Sequence, residues 1–423
     1  MREKIKGEIE IMNDSLNDKL SEYAKLVVQV GANLQKGQTL LLSCPVECAS
    51  FGRLVAEEAY KAGARDVVLH WGDDKLSRMR FLNADEAVFD EVPEWLIALY
   101  DQYTRPETAR VAIRATDPEN LKGVAPDRIR RGTVSSGNAL KKYSDMMMND
   151  VFQWCLVSIP VPSWSAKVFP GVPADEAESK LWDAIFQAIR ISGDGTSVSK
   201  WHEHLSLLKE RMELLNQHRF ARLIFKNGLG TDLTVELPEK HAWLGGGGKT
   251  KAGIPFVANM PTEEIFTLPK KGGVNGVLYS SMPLSLNGYL VKDIKMTFKD
   301  GKIVDVDASE GLDVLVNQLD VDEGARYLGE VALVPFKSAI SDQGIMYYNT
   351  LFDENASCHF AFGSAYPAFV GGSDMSKEEQ KANGANDSII HVDFMVGTPD
   401  LSITGITADG HSVPVFADGN FAF

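Results

Sequence analysis

Cysteine is scarce in this 423-residue chain: Cys44, Cys48, Cys155 and Cys358, with no Cys-x-x-Cys pair among them. That spacing excludes a zinc ribbon and a thioredoxin-like redox motif. Cys44 and Cys48 straddle a strand-to-helix turn and read as small apolar residues. Long apolar runs are missing too, and no stretch approaches the roughly 18 residues of a membrane-spanning helix. Positive charge is short: 43 Lys and Arg against 58 Asp and Glu leave a formal net charge of −15. That balance argues against nucleic acid and against an anionic membrane surface as partners. It suits substrates bearing an amine only weakly, because most acidic proteins are acidic for solubility. The opening residues, MREKIKGEIEIMNDSL, are charged and lack the apolar stretch of a signal peptide, so a cytoplasmic protein is expected. Patterned sequence begins near Leu20, and residues 1–14 are expected to form a loose extension. Hydrophobic content of 44% and charged content of 24% are ordinary for a globular protein, and the length suggests about two to three domains.

A nucleotide-binding loop is absent, although WLGGGGKT (243–250) ends as one does. The phosphate-binding motif needs a first glycine, then four residues, then Gly248-Lys249-Thr250, all between a strand and a helix. Trp243 occupies that position, and Gly253, Pro255 and Pro261 leave no room for a helix after Thr250.

Two textures are present. Up to about residue 217, apolar runs alternate with helical patterns. TLLLSCP (39–45), DVVLHWGD (66–73), VAIRATD (111–117) and WCLVSIP (154–160) read as strands. The segments between them are helix-like, as are DEAESKLWDAIFQAIRI (175–191) and KWHEHLSLLKERMELLNQHRF (200–220). Such alternation predicts an α/β domain with a mostly parallel sheet over 1–217. From 218 to 423 the pattern is mainly antiparallel β (α+β). RLIFKNGLGTDLTVEL and DIKMTFKDGKIVDVDA read as hairpins around Asn227-Gly228 and Asp300-Gly301.

Eight histidines are few enough to weigh singly. His202 and His204 lie on a helix, where two positions turn through about 200°, so they cannot converge on one ion and are expected at the surface. His70, His218, His241 and His411 stand alone and read as structural or exposed. His391 differs. In SIIHVDFMVG (388–397) it shares one strand face with Asp393, and a buried carboxylate needs a partner. A hydrogen-bonded pair and two metal ligands explain this motif equally well. Glu330 sits in the apolar run YLGEVALVP. Glu264 adjoins Glu263 in NMPTEEIFTLP, and on an extended chain the two face opposite ways. LFDENASCHFAFGSAY (351–366) adds Asp353, Glu354, His359 and Tyr366. Carboxylates mixed with imidazoles suit paired divalent ions such as Zn, Co or Mn, because a carboxylate can bridge two of them.

NMPTEEIFTLP, RYLGEVALVP, LFDENASCHFAFGSAY and SIIHVDFMVG, in that order, resemble the thermophilic metalloaminopeptidases of the aminopeptidase T and aminopeptidase S type. GANLQKGQTLLLSCP near the start resembles that family's N-terminal segment, and the likeness covers nearly the whole chain from about residue 15. The resemblance implies a metal-dependent aminopeptidase that is a homodimer with an enclosed cavity. Two divalent ions (Zn, Co, Mn or Mg) would sit in its C-terminal domain. It implies Glu264, Glu330, Glu354, His359, His391 and Asp393 as metal ligands, Glu330 bridging, and Tyr366 as the catalytic tyrosine. The position of Glu263 is often glycine in that family, so its carboxylate is expected to be dispensable. The implied substrates are peptides with a free N-terminus, whose α-amine one ion would receive. The general base is left between the water on the ions and a carboxylate such as Glu354. The glycines of WLGGGGKT are then expected to form a mobile segment near the cavity. A dinuclear amidase or esterase, and a non-catalytic binding protein retaining the fold, are the alternatives. The intact ligand positions and Tyr366 argue against the second.

Overall fold

The leucine-rich run Thr39–Pro45 becomes an inner strand of a five-stranded parallel sheet, buried along most of its length. The computed structural model describes residues 15–423, so the extension and leader expected or excluded at residues 1–14 lie outside the described residues. Across this sheet the strands run Asn259–Met260, Trp154–Ser158, Thr108–Arg114, Thr39–Pro45 and Asp66–Gly72. All adjacent pairs are parallel. The four strands read from the sequence are present, each followed by helix, as parallel crossovers require. The helices Ala174–Ala188 and Ser197–His218 fall where the 3.6-residue period puts them.

One strand of this sheet comes from far along the chain. Asn259–Met260 pairs with Leu156 and Val157, and Val257, Met260, Tyr347 and Phe352 join the same hydrophobic core. The first layer is therefore completed by residues that follow the antiparallel strands in sequence.

Most of the rest of the second half is two packed antiparallel sheets, accompanied among the described residues by two two-stranded ones. The larger has eight strands and contains both expected hairpins: Phe220–Lys226 with Asp232–Glu236, and Lys295–Lys299 with Lys302–Asp307. At the second turn Asp300 and Gly301 both have positive φ (49° and 83°), the conformation favoured in two-residue hairpin loops. A Cβ on Gly301 would stand 1.7 Å from Lys271 O, so only glycine fits. The smaller sheet has five strands in the order His391–Met395, His359–Gly363, Leu328–Leu333, Ile265–Thr267 and Leu244–Gly245. Its hydrophobic face, with Ile265, Val331, Leu333, Phe360, Phe362 and Phe394, shares a core with Leu223, Phe225, Leu233 and Val235 of the larger sheet. Phe225 and Phe360 meet across the interface with ring centroids 5.1 Å apart.

Candidate metal centre

Alternation fixes what the other face of the small sheet carries. With Val331, Phe360 and Phe394 turned inward, Glu330, His359, Ala361 and Asp393 must point the other way. Register then aligns them: Glu330 pairs with Ala361, which pairs with Asp393, while Ala332 pairs with His359 and Gly363 with His391. An irregularity between Leu328 and Glu330 resets the register at this point. Glu264 immediately precedes the strand Ile265–Thr267, which pairs with Leu328–Leu333.

The side chains converge. His359 Nε2 lies 3.0 Å from Glu264 Oε2 and 3.6 Å from Glu330 Oε1. His391 Nε2 lies 3.5 Å from Glu330 Oε2 and 3.3 Å from Asp393 Oδ1. Two groups of metal-ligating type result, Glu264–Glu330–His359 and Glu330–His391–Asp393, with Glu330 common to both. Each imidazole is oriented from behind. His359 Nδ1 lies 3.1 Å from Ser357 O, and His391 Nδ1 lies 2.7 Å from Ser364 O. With the Nδ1 protons on those carbonyls, both Nε2 atoms face the carboxylates, the arrangement usual behind metal-ligating histidines.

The electrostatics show how much negative charge the site gathers. Burial, reinforced by Glu264 and Asp393 against the His359 hydrogen bond, pushes the Glu330 carboxyl up to about 7. Burial also pushes Glu354 well above its ordinary value, with Asp393 and Glu264 adding to it. Burial works against charging His359 and His391, yet Glu264 and Glu330 hold the first well above 6.5, and Asp393 and Glu330 raise the second to about 10. Burial likewise opposes ionising Asp393, but His391 holds it below the usual carboxylate range. Four carboxylates around two imidazoles exceed what those imidazoles can neutralise, and divalent cations would supply the missing charge. The donor set of mixed oxygen and imidazole nitrogen fits such ions.

Other sequence candidates fall at different distances from this centre. Glu354 is buried beside it but outside both groups. Asn259 Nδ2 (3.5 Å) and Asn355 Nδ2 (3.4 Å) approach its Oε1. Asp353 turns away and accepts the N–H groups of Tyr347 and Asn349 at 2.8 and 2.9 Å, a structural role. Tyr366 borders the site, its ring edge-on to His391 at 5.2 Å and near Phe266 at 5.6 Å. Burial, and then the surrounding carboxylates led by Glu330, raise its phenol well above 10.

One expectation is corrected. His202 is exposed as expected, but His204 is buried, its Nε2 2.7 Å from Thr262 O. The helical period separates the two histidines without saying which of them is covered. Glu263 turns away from the ligand face, as its position beside Glu264 predicts, and its Oε1 accepts from Arg190 Nη2 at 2.6 Å in a buried ion pair. Asn259, Asn355 and Arg190 gave no sign of these roles in the sequence, although Asn259 opens NMPTEEIFTLP and Asn355 lies inside LFDENASCHFAFGSAY.

The glycine-rich stretch is paired into short strands beside the site. Leu244–Gly245 joins Ile265–Phe266, Gly248–Lys249 joins Pro255–Phe256, and Trp243 is fully buried. A Cβ on Gly245 would stand 2.8 Å from Glu264 O, so the close approach to the ligand segment requires glycine. Thr250 begins a turn, closed by its N–H to Ile254 O at 2.9 Å, and no helix follows it.

Known proteins carry the same plan. Residues 16–421 match the model of the thermophilic metalloprotease (M29) family. Aminopeptidase AmpS of Bacillus subtilis is 43% identical over 411 residues, 97% of this chain and 100% of that protein. Aminopeptidase T of Thermus thermophilus is 40% identical over 408 residues, 96% and 99% of the two chains. The structure of wild-type AmpT from Thermus thermophilus superposes with a TM-score of 0.86, covering 96% of this chain and 99% of that one at 39% identity. With the family's match running through both halves and every strand of the carboxylate–imidazole face, this chain belongs to the thermophilic metalloprotease (M29) family.

Proposed function

We propose that the protein is an aminopeptidase that binds two divalent metal ions per chain and removes N-terminal residues from peptides. Glu264, Glu330 and His359 would hold one ion, and Glu330, His391 and Asp393 the other, with Glu354 completing the shell of one of them. Zn, Co, Mn and Mg all suit the oxygen-rich donor set. The single observation that carries this reading is the position of Glu330, whose two carboxylate oxygens each face a different imidazole. Relatives named as aminopeptidases over almost their whole length support the same activity.

Bound ions of this kind acidify water, polarise a carbonyl and accept an amine. The chain's own residues supply the rest. Ser357 O and Ser364 O hold the imidazoles in the tautomer that leaves Nε2 toward the site. The Tyr366 phenol, raised well above 10, keeps its proton at neutral pH and can donate it as a hydrogen bond to the oxyanion of the tetrahedral intermediate. Glu354, whose carboxyl burial pushes well above its ordinary value, can take up or return a proton beside the scissile bond. Its neighbours Asn259 and Asn355 keep it oriented.

The protein would act in the cytoplasm as a homodimer. Exposed Trp71, Leu76, Met79 and Trp95 near the outer strand Asp66–Gly72 are a surface a second copy can cover, and sedimentation at micromolar concentration tests it. The activity is tested with leucine amide and its N-acetyl counterpart. Acetylation removes the basic lone pair and adds bulk, and about 1.4 kcal/mol is already tenfold. The free amine should be favoured at least about a hundredfold in kcat/KM. Equal turnover of the two would leave a general amidase in place of the aminopeptidase.

A further inference from the structure

A buried charged cluster outside both ligand groups touches the backbone that carries Glu264. Arg190 follows the helix Ala174–Ala188 with φ +61°, a left-handed conformation that glycine adopts far more readily. Its Nη2 donates to Glu263 Oε1 at 2.6 Å and lies 3.1 Å from His204 Nδ1. His204 Nε2 in turn reaches Thr262 O at 2.7 Å. With the proton on Nε2, a neutral imidazole donates to Thr262 and accepts from Arg190, so every contact is satisfied. Thr262 and Glu263, the two residues before Glu264, are thus gripped by side chains from the N-terminal half.

The grip continues on the other side. The Glu263 N–H donates to Asn355 Oδ1 at 2.7 Å, and Asn355, wholly buried, donates from Nδ2 to Leu351 O at 2.9 Å. Asn355 directly follows Glu354. The segments bearing Glu264 and Glu354 are therefore tied to each other, and both are tied to the helices around the parallel sheet.

We propose that Arg190, His204, Glu263 and Asn355 are positioning residues that set the Glu264 carboxylate toward His359 and Glu330 before an ion binds, with the Arg190–Glu263 pair as the anchor. The proposal rests on the reading of Glu264 as a metal ligand. Glu263 and Glu264 project to opposite sides of the same short segment, one to Arg190 and the other to His359. Fixing the first fixes the direction of the second. A ligand already in place loses little freedom when the ion arrives, whereas a loosened one must be ordered at the expense of affinity.

Calorimetric titration of metal-free protein with Zn²⁺ tests this on wild type, Glu263→Gln, Arg190→Gln and the double variant, alongside their thermal unfolding. Each single substitution should weaken ion binding by about 10–100-fold in protein that is still folded. The double variant should bind no more weakly than the worse single one, because the pair acts as a unit. Arg190→Lys keeps the charge but loses the planar fork and should fall between; if the other variants fail to fold, it carries the test alone. Lower melting temperatures with unchanged ion affinity would overturn the proposal and leave a structural brace. A wild type that takes up no ion would overturn it as well, by removing the metal site beneath it.

Discussion

Ala361 stands directly opposite Glu330 across two antiparallel strands, and its other neighbour in the same row is Asp393. A methyl group therefore separates two acidic side chains on one sheet face, and its smallness leaves the space between them open. Ala361→Leu should fill that space. Overpacking of this kind costs about 1–3 kcal/mol, so the protein should still fold while losing its metal and its activity. Elemental analysis beside a thermal melt checks this, and full metal content in the folded variant would show that the ions lie elsewhere.

Glu330→Gln should remove the one charge shared by both ligand groups. Several kcal/mol of transition-state stabilisation depend on such a centre, so peptide turnover should fall at least about a hundredfold. Metal content should fall with it. A variant with both ions and wild-type kcat would assign the bridging role to another carboxylate.

Chelation should abolish activity and lower the melting temperature, and adding back about two equivalents of divalent ion should restore both. At a free ion concentration near a hundred times Kd, each site stabilises the fold by about 2.7 kcal/mol. Activity that survives in protein shown to be metal-free would remove the metal from the chemistry.

The pH dependence of the metal-free fold has a definite sign. Glu330 ionises near 4.5 when unfolded and near 7 in the fold, so its contribution is full below pH 4.5 and is lost as pH rises to about 7. His391 titrates near 6.5 unfolded and near 10 folded, so its contribution is full below 6.5 and is lost as pH rises through about 10. Together they make the metal-free protein progressively less stable as pH rises from about 4.5 to about 10. Asp353 and Asp150, pushed up to about 7 by burial, act in the same direction with or without metal. Ion binding needs the deprotonated ligands, so the gap between metal-loaded and metal-free melting temperatures should widen as pH rises. A constant gap across that range would count against the assigned ligands.

In the glycine-rich stretch, Gly247 has φ +116°, and a Cβ there would stand 2.2 Å from Phe256 O. Gly247→Ala should destabilise the protein by about 1–3 kcal/mol. Lys249→Ala, on the exposed outer strand of the same hairpin, should change stability by less than about 0.5 kcal/mol and leave turnover independent of ATP. Saturable ATP binding lost in Lys249→Ala would revive the nucleotide loop that Trp243 interrupts.

Local periodicity was enough to place Thr39–Pro45 and the other parallel strands, the Asp300-Gly301 hairpin, and His391 with Asp393 on one face. Each of these depends on residues within a few positions of one another, where backbone geometry repeats every 2 or 3.6 residues. The order of the acidic and histidine motifs was enough to indicate the family. Tertiary structure alone decided that Glu330 stands between His359 and His391, because strand register links residues far apart in the chain and leaves no periodic trace in it. It also decided that Glu354 lies beside both ligand groups and that Asn259–Met260 completes the parallel sheet. Burial was equally hidden: His202 and His204 look alike in a helical pattern, and only the packing of that helix against Thr262 covers one of them. The Arg190–Glu263 pair joins residues 73 positions apart. A charge gives no sign in sequence of its distant partner, and only the folded chain brings the two together where water is excluded.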